Sequence, residues 1–292
     1  MPSTRPFQRV AIIGLGLMGG SLGLAVKRKK LARVVGGYAR RAWTRRQALA
    51  AGVVDQAFAR PELAVRDADL VIFCVPVGVI PGLVKLCAPA LSGRAVVTDV
   101  GSIKVKIVAH VEPLVEDAGA WFVGSHPIAG SERHSLAAAS PRLYDNAVVI
   151  LTPTPRTARG ALRRVKAFWS GLGARVVVVD PETHDRMLAR TSHLPHLAAA
   201  LLASTVGRDQ PHQLGRFCGP GFMDATRIAD GSPDLWQDIV AGNRKAVTQE
   251  LQAFNAGLTQ LIRWMKFNDL GAVKRFLGQS RTRRQKLVRG KP

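Results

Sequence analysis

The segment that constrains this chain most is Val10-Ala11-Ile12-Ile13 running directly into Gly14-Leu15-Gly16-Leu17-Met18-Gly19. An apolar run, a GxGxxG loop and a helix-length stretch in that order form the head of a dinucleotide-binding βαβ unit. Each glycine has its own task there. Gly14 permits the tight turn, Gly16 lets the backbone approach a pyrophosphate, and Gly19 lets helix pack closely on strand. The helix start then presents unpaired N–H groups to the phosphates. Gly14, Gly16, Leu17, Met18 and Gly19 are therefore the first candidate cofactor contacts.

The alternation continues beyond this unit. Arg33 to Tyr38, Asp69 to Val75 and Ala95 to Asp99 read as strands rich in β-branched residues. Gly19 to Lys29, Val79 to Ala90 and Lys104 to Glu116 read as helices between strands. Trp121 to Ser125, Ala147 to Leu151 and Ala174 to Val179 follow as later strands, with a helix over Thr157 to Ser170. Such alternation predicts an α/β fold with a parallel sheet covered on both faces. After Asp180 the strand signals vanish. Pro181 to Ala203, Asp234 to Trp264 and Val273 to Lys286 read as helical, with a kink expected at Pro195. The expected organisation is an N-terminal Rossmann-type dinucleotide-binding domain over residues 1–180 and a C-terminal all-helical substrate and dimerisation domain over 181–292.

The end of the second strand bears on the choice of cofactor. An NAD site usually carries an acid there for the ribose 2′-hydroxyl. Here the chain reads Gly37-Tyr38-Ala39-Arg40-Arg41, with no acid and two arginines. Arg40 or Arg41 can pair with a 2′-phosphate, which favours NADP over NAD; the alternative is that both belong to a generally basic surface. Ala39, Pro76 and Val77 complete the candidate cofactor contacts, the last two against a reading as ordinary loop packing.

Four later segments narrow the chemistry. They are Thr98-Asp99-Val100-Gly101-Ser102-Ile103-Lys104, Gly124-Ser125-His126-Pro127-Ile128-Ala129-Gly130-Ser131-Glu132, Ser192-His193-Leu194-Pro195-His196, and Gly221-Phe222-Met223-Asp224-Ala225-Thr226-Arg227-Ile228-Ala229. Leu235-Trp236-Gln237-Asp238-Ile239 with Asn243 adds a fifth. Together, in this order and spacing, they resemble the prephenate and arogenate dehydrogenase family over nearly the whole chain. Met223 departs from the arginine expected in many members and puts one polar contact in doubt. No regulatory ACT domain of the kind that some members carry is expected.

The resemblance implies oxidative decarboxylation of prephenate or arogenate on the route to tyrosine. Hydride leaves ring C4, the C4 hydroxyl loses its proton, and the ring carboxylate departs as CO2. It makes His126 the catalytic histidine, and a neutral imidazole suits proton abstraction near pH 7. It places Ser102 on the substrate hydroxyl; a helix N-cap is the alternative for that serine. Arg227 is the expected clamp for the side-chain carboxylate, with an interface salt bridge as the alternative. His196 is implied in substrate binding, His193 at the cofactor or in the cleft, and Glu132 at the entrance; a core or interface role is the alternative for each histidine, and a simple surface acid for Glu132. His193 and His196 share a helix face, but no further ligands stand at metal spacing, so no metal is expected. Lys104 reads as a helix-surface lysine, and His110, His134, His184 and His212 carry no comparable signal.

Composition limits the alternatives. No apolar run approaches the ~20 residues needed to span a bilayer, and the early apolar stretch lacks a cleavage pattern. The expected location is the cytoplasm. Cys74, Cys87 and Cys218 form no CxxC pair, which fits a reducing compartment. The net charge of +22 includes a basic tail with Arg281, Arg283, Arg284, Lys286, Arg289 and Lys291. Nucleic acid is not the expected partner, because the basic residues lack interleaved aromatics. The expected partners are a small anionic substrate and a second copy of the chain, through an apolar stripe of Leu251, Phe254, Leu258, Leu261 and Ile262. Two other functions remain: a β-hydroxyacid dehydrogenase of similar architecture, and a non-enzymatic, cofactor-sensing nucleic-acid binder.

Overall fold

The computed structural model describes residues 6–129, 135–209 and 211–289. Among them, eight strands form one sheet: β1 (Phe7–Ile13), β2 (Ala32–Tyr38), β3 (Gln56–Phe58), β4 (Leu70–Phe73), β5 (Val96–Asp99), β6 (Trp121–Ile128), β7 (Val148–Thr152) and β8 (Arg175–Val178). Their order is β3-β2-β1-β4-β5-β6-β7-β8. The first six reproduce the Rossmann arrangement, in which the strand order reverses beside β1 and ligands bind at the carboxyl ends. The helices among and after the first strands are α1 (Leu17–Arg28), α2 (Ala42–Ala50), α3 (Pro61–Val65), α4 (Ile80–Cys87), α5 (Val105–Asp117) and α6 (Arg159–Gly171). Beyond β8 come α7 (Pro181–Leu188), α8 (Leu194–Val206), α9 (Pro211–Leu214), α10 (Pro220–Thr226), α11 (Pro233–Gly242), α12 (Arg244–Lys266) and α13 (Leu270–Arg289).

Side chains on a strand alternate between faces, so a strand buried on both sides must be apolar throughout. The strand β4 follows this rule throughout, and β1 follows it from Val10 to Ile13. Val10, Ile12, Leu70 and Ile72 enter one core layer, which Phe168 and Trp169 of α6 help to close. Ala11, Ile13, Val71 and Phe73 enter the opposite layer with Ile80 and Val84 of α4 and Ile107 and Val111 of α5. Two buried layers cover both faces of the central strands, while β8 at the edge stays largely exposed.

Several sequence expectations are corrected here. The sheet is mixed, because β6 and β7 are antiparallel, with His126 opposite Ile150. His126 therefore lies inside β6 and not after it. The short strand β3 and the helices α2 and α3 add to the elements expected from the sequence. The expected helix over Asp234 to Trp264 is broken at Asn243, between α11 and α12. Near Pro195 the chain makes a π-helical turn over Ala189–His193 that leads directly into α8. Proline has no backbone N–H to donate into the preceding turn, and the wider π-helical turn lies where that bond is missing.

By its internal contacts the chain divides into two compact units, Met1–Arg244 and Lys245–Pro292. The first holds the sheet and the helices up to α11. The second holds nearly all of α12 together with α13, and Trp264 and Phe276 meet within it at 5.9 Å between ring centroids. Among the described residues, no helix is long and apolar enough to cross a membrane.

Candidate active site

The loop after β1 has the shape that its glycines require. Gly14 adopts φ +107°, and a Cβ there would lie 2.4 Å from the Cys74 carbonyl oxygen. A Cβ on Gly19 would lie 1.8 Å from the Gly14 carbonyl oxygen. Leu17, Met18 and Gly19 open α1, whose N-cap is Gly16. No side chain caps that end, and its first turn carries no acid. Its amides are thus left for an anion, and the residues present fit a dinucleotide pyrophosphate. Pro76 and Val77 follow β4 at the point where the strand order reverses. At the end of β2, Ala39 is buried while Arg40 and Arg41 are exposed. The Arg45 guanidinium donates to the Ala39 and Arg40 carbonyls at 2.8 and 2.9 Å, which fixes the turn that presents them.

The chemistry gathers at the carboxyl ends of β5 and β6. Asp99, the last residue of β5, accepts from the Gly101 amide at 2.8 Å and the Ser125 amide at 3.1 Å. It also pairs with the Lys104 ammonium, which donates to the Ser125 carbonyl at 2.8 Å. Both members of this pair are fully buried. Burial lowers the Lys104 pKa, opposed by the charges of Asp99 and Asp185. The loop bearing Ser102 is thus pinned at both ends. Ser102 itself is half-buried and is not the N-cap of α5. That end is capped from a distance: Asp185 accepts from the Lys104 amide at 2.7 Å and the Val105 amide at 3.0 Å.

His126 sits beside this group, almost fully buried. Its Nδ1 lies 2.9 Å from His184 Nε2, and His184 Nδ1 lies 2.8 Å from Asp185 Oδ1. Burial holds the His126 pKa well below the ordinary histidine value, and the His184, Lys104 and His193 charges push it the same way. Burial lowers His184 too, although Asp185 opposes the shift. His126 is thereby kept neutral, as a proton acceptor must be.

Helical segments close the site. Asn243 Nδ2 donates to the Asp185 carbonyl at 2.7 Å and lies 3.3 Å from His193 Nδ1. His193 is fully buried, its pKa is pulled down to about 4 by burial, and among the described residues its Nε2 has no hydrogen-bond partner. His196 stacks on Trp236 with centroids 3.5 Å apart and planes 13° apart. Arg227 is exposed at the end of α10. Glu132 lies outside the described residues.

The structure thus brings together His126, His193 and the loop of Ser102. It adds three residues that the sequence reading passed over: Lys104, His184 and Asp185. Lys104, expected at the helix surface, is fully buried. The signal for it was Asp99 five residues earlier, at the end of a buried strand. His184 and Asp185 gave no signal by themselves, because their role depends on α7 packing against α5.

Comparison with known proteins yields a consistent family. Residues 22–178 match the prephenate dehydrogenase nucleotide-binding domain, and residues 180–279 match the prephenate dehydrogenase dimerization domain. The cyclohexadienyl dehydrogenase of Zymomonas mobilis is 35% identical over 258 residues, covering 87% of each chain. The crystal structure of prephenate dehydrogenase from Aquifex aeolicus, in complex with hydroxyphenyl propionate and NAD+, superimposes with a TM-score of 0.89 at 32% identity, covering 96% of this chain and 98% of that one. The Synechocystis arogenate dehydrogenase structure gives a TM-score of 0.82 at 28% identity, covering 96% of this chain and all of that one (100%).

Proposed function

The chain belongs to the prephenate dehydrogenase family, and from that premise we propose that it oxidises and decarboxylates prephenate to 4-hydroxyphenylpyruvate, with NADP preferred to NAD. It is an oxidoreductase that uses a nicotinamide cofactor in tyrosine biosynthesis. The hydroxyacid dehydrogenase and nucleic-acid alternatives find no support in this family membership. The observation that carries the mechanism is a buried, neutral His126 held in a network at the carboxyl edge of the sheet.

Bound there, the nicotinamide cofactor supplies the hydride acceptor for substrate C4. The glycine loop and the start of α1 would hold its pyrophosphate. His126 takes the C4 hydroxyl proton as hydride departs, and Ser102 orients that hydroxyl. Loss of CO2 then yields the aromatic ring. Arg227 holds the side-chain carboxylate, and the ring carboxylate needs weaker surroundings, because its charge must flow into the ring. His196, braced flat on Trp236, forms part of the substrate wall. Asn243 has two N–H groups, directed to the Asp185 carbonyl and to His193 Nδ1. His193 then carries its proton on Nε2, the buried atom with no partner among the described residues. A buried donor left unpaired costs about 1–3 kcal/mol, and a ligand oxygen would remove that cost. Glu132 gates the entrance in this reading.

Prephenate is preferred to arogenate because the carboxylates of the His126 network are already engaged. Asp99 serves Gly101, Lys104 and Ser125, while Asp185 serves α5 and His184. Neither is left for a substrate ammonium. NADP is preferred because Arg40 and Arg41 stand exposed where an NAD site usually has an acid. The domain boundary near Pro181 is supported by the junction of the two matched family domains, between residues 178 and 180. A homodimer through the C-terminal helices completes the reading.

The test is cofactor reduction followed by absorbance, crossing prephenate and arogenate with NAD and NADP. The fastest turnover is expected with prephenate and NADP. A higher kcat/KM for arogenate, or for NAD, would reverse the corresponding preference. His126→Asn is expected to lower kcat by roughly 10²–10⁴-fold, the usual worth of a positioned base, with KM little changed.

A further inference from the structure

Two neutral imidazoles in contact must divide their protons unequally: one nitrogen donates and the other accepts. Which of them donates at His126 is decided at the far end of the chain of contacts. Asp185 accepts on Oδ1 from the Lys104 amide and on Oδ2 from the Val105 amide. Backbone amides only donate, so both carboxylate oxygens act as acceptors. His184 Nδ1, 2.8 Å from Oδ1, therefore carries a proton. His184 is fully buried and its pKa is lowered, so in the neutral ring its Nε2 has the lone pair. His126 Nδ1, 2.9 Å away, must then be the donor.

We infer that His184 and Asp185 are positioning residues that lock His126 in the Nδ1–H tautomer, leaving the Nε2 lone pair as the base. The inference rests on the reading of His126 as proton acceptor, and it specifies which nitrogen acts. The order of parts is carboxylate, imidazole, imidazole, each oriented by the one behind it. It matters because an isolated neutral imidazole in the opposite tautomer presents N–H at Nε2 and cannot accept there. The groups facing His126 are His184 and Asp185 from α7, His193 from the π-turn, and Lys104 with Asp99 from β5 and the loop after it. The Lys104 ammonium among them disfavours a second proton on His126. When His126 gains the substrate proton on Nε2, its Nδ1–H still points to the acceptor nitrogen of His184. The contact survives the proton transfer without rearrangement.

The experiment is ¹⁵N–¹H NMR of the histidine rings in the full-length protein, joined to kinetics of two variants. In the wild type, His126 is expected to show a protonated Nδ1 and an unprotonated Nε2. His184→Leu removes the acceptor. It is expected to release His126 into a tautomer mixture and to lower kcat by about 10–100-fold, the usual worth of a partner that orients a ligand ring, with KM changed less than about threefold. His184→Gln can accept from His126 through its carbonyl and donate to Asp185 through its amide, so it is expected to restore both the tautomer and most of kcat. A wild-type His126 protonated at Nε2 would overturn the inference. So would a His184→Leu protein whose His126 keeps the Nδ1–H tautomer. If His126→Asn retained turnover while the wild type showed the Nδ1–H tautomer, the base assignment would fall and the lock would stand.

Discussion

At the scale of single residues, the site is governed by burial. His126, His184 and His193 are all nearly or fully removed from water, and for each of them loss of hydration is the first cause of a lowered pKa. A base must be unprotonated to act, so the direction of that shift fixes the direction of the pH profile. With the His126 pKa well below 6.5 in the free enzyme, kcat/KM should remain on its plateau at pH 6.5 and fall only at lower pH. Rate measurements from pH 5 to 9, with stability followed in parallel, check this. An acid limb centred at or above the ordinary histidine value would show that His126 is hydrated, contrary to its burial. The parallel stability measurement is needed because His193 acts in the same direction. Its folded pKa is about 4 against 6.5 for an unperturbed histidine. Between those values the unfolded chain binds more protons, so stability is full above 6.5 and declines as pH falls toward 4. A fall in rate that precedes the fall in folded fraction belongs to His126.

At the scale of elements, the dinucleotide loop and the α5 terminus show what sequence can and cannot convey. The GxGxxG loop was legible because its constraints are local. Gly14 needs a positive φ, and Gly19 needs the absence of a side chain against its own loop. Gly19→Ala places a methyl where the Gly14 carbonyl oxygen stands, so the loop must reshape even if the sheet survives. The expected result is loss of dinucleotide binding by calorimetry, with little change in far-ultraviolet circular dichroism. Retained affinity would mean that the loop relaxes without moving its amides. The capping of α5 was not legible. Its acceptor comes from Asp185, about 80 residues away in sequence, and no local pattern announces such a partner. For the same reason Ser102 was open to reading as an N-cap, and Lys104 was placed at the surface. The antiparallel β7 was hidden too, since a strand buried on both sides has the same apolar composition in either direction. Asn243 was seen as part of a motif, but not as the break that ends α11 and donates to Asp185 and His193.

At the scale of the whole molecule, charge and apolar surface act against each other. Each chain carries a formal net charge of +22, so bringing two copies together adds repulsion that salt screens. Against this stands α12, where Phe254, Leu258 and Ile262 are exposed at a spacing of four residues. Residues four apart share a helix face. A contiguous apolar stripe of this kind marks an interaction surface more readily than a solvated one. The domain match over residues 180–279 names dimerization as its role in the family. If this face joins two copies, association should tighten as salt rises, because the apolar contribution persists while the repulsion is screened. Sedimentation at several ionic strengths checks this, with a dimer of 31.4 kDa chains expected at micromolar concentration. Leu258→Asp puts a charge in the middle of the stripe and should yield a monomer at every salt concentration, with its helical content intact. Were the wild type monomeric at high salt, the stripe would not be a self-association surface. A dimer that loosened as salt rose would mean that ion pairs, not this apolar face, hold the copies together.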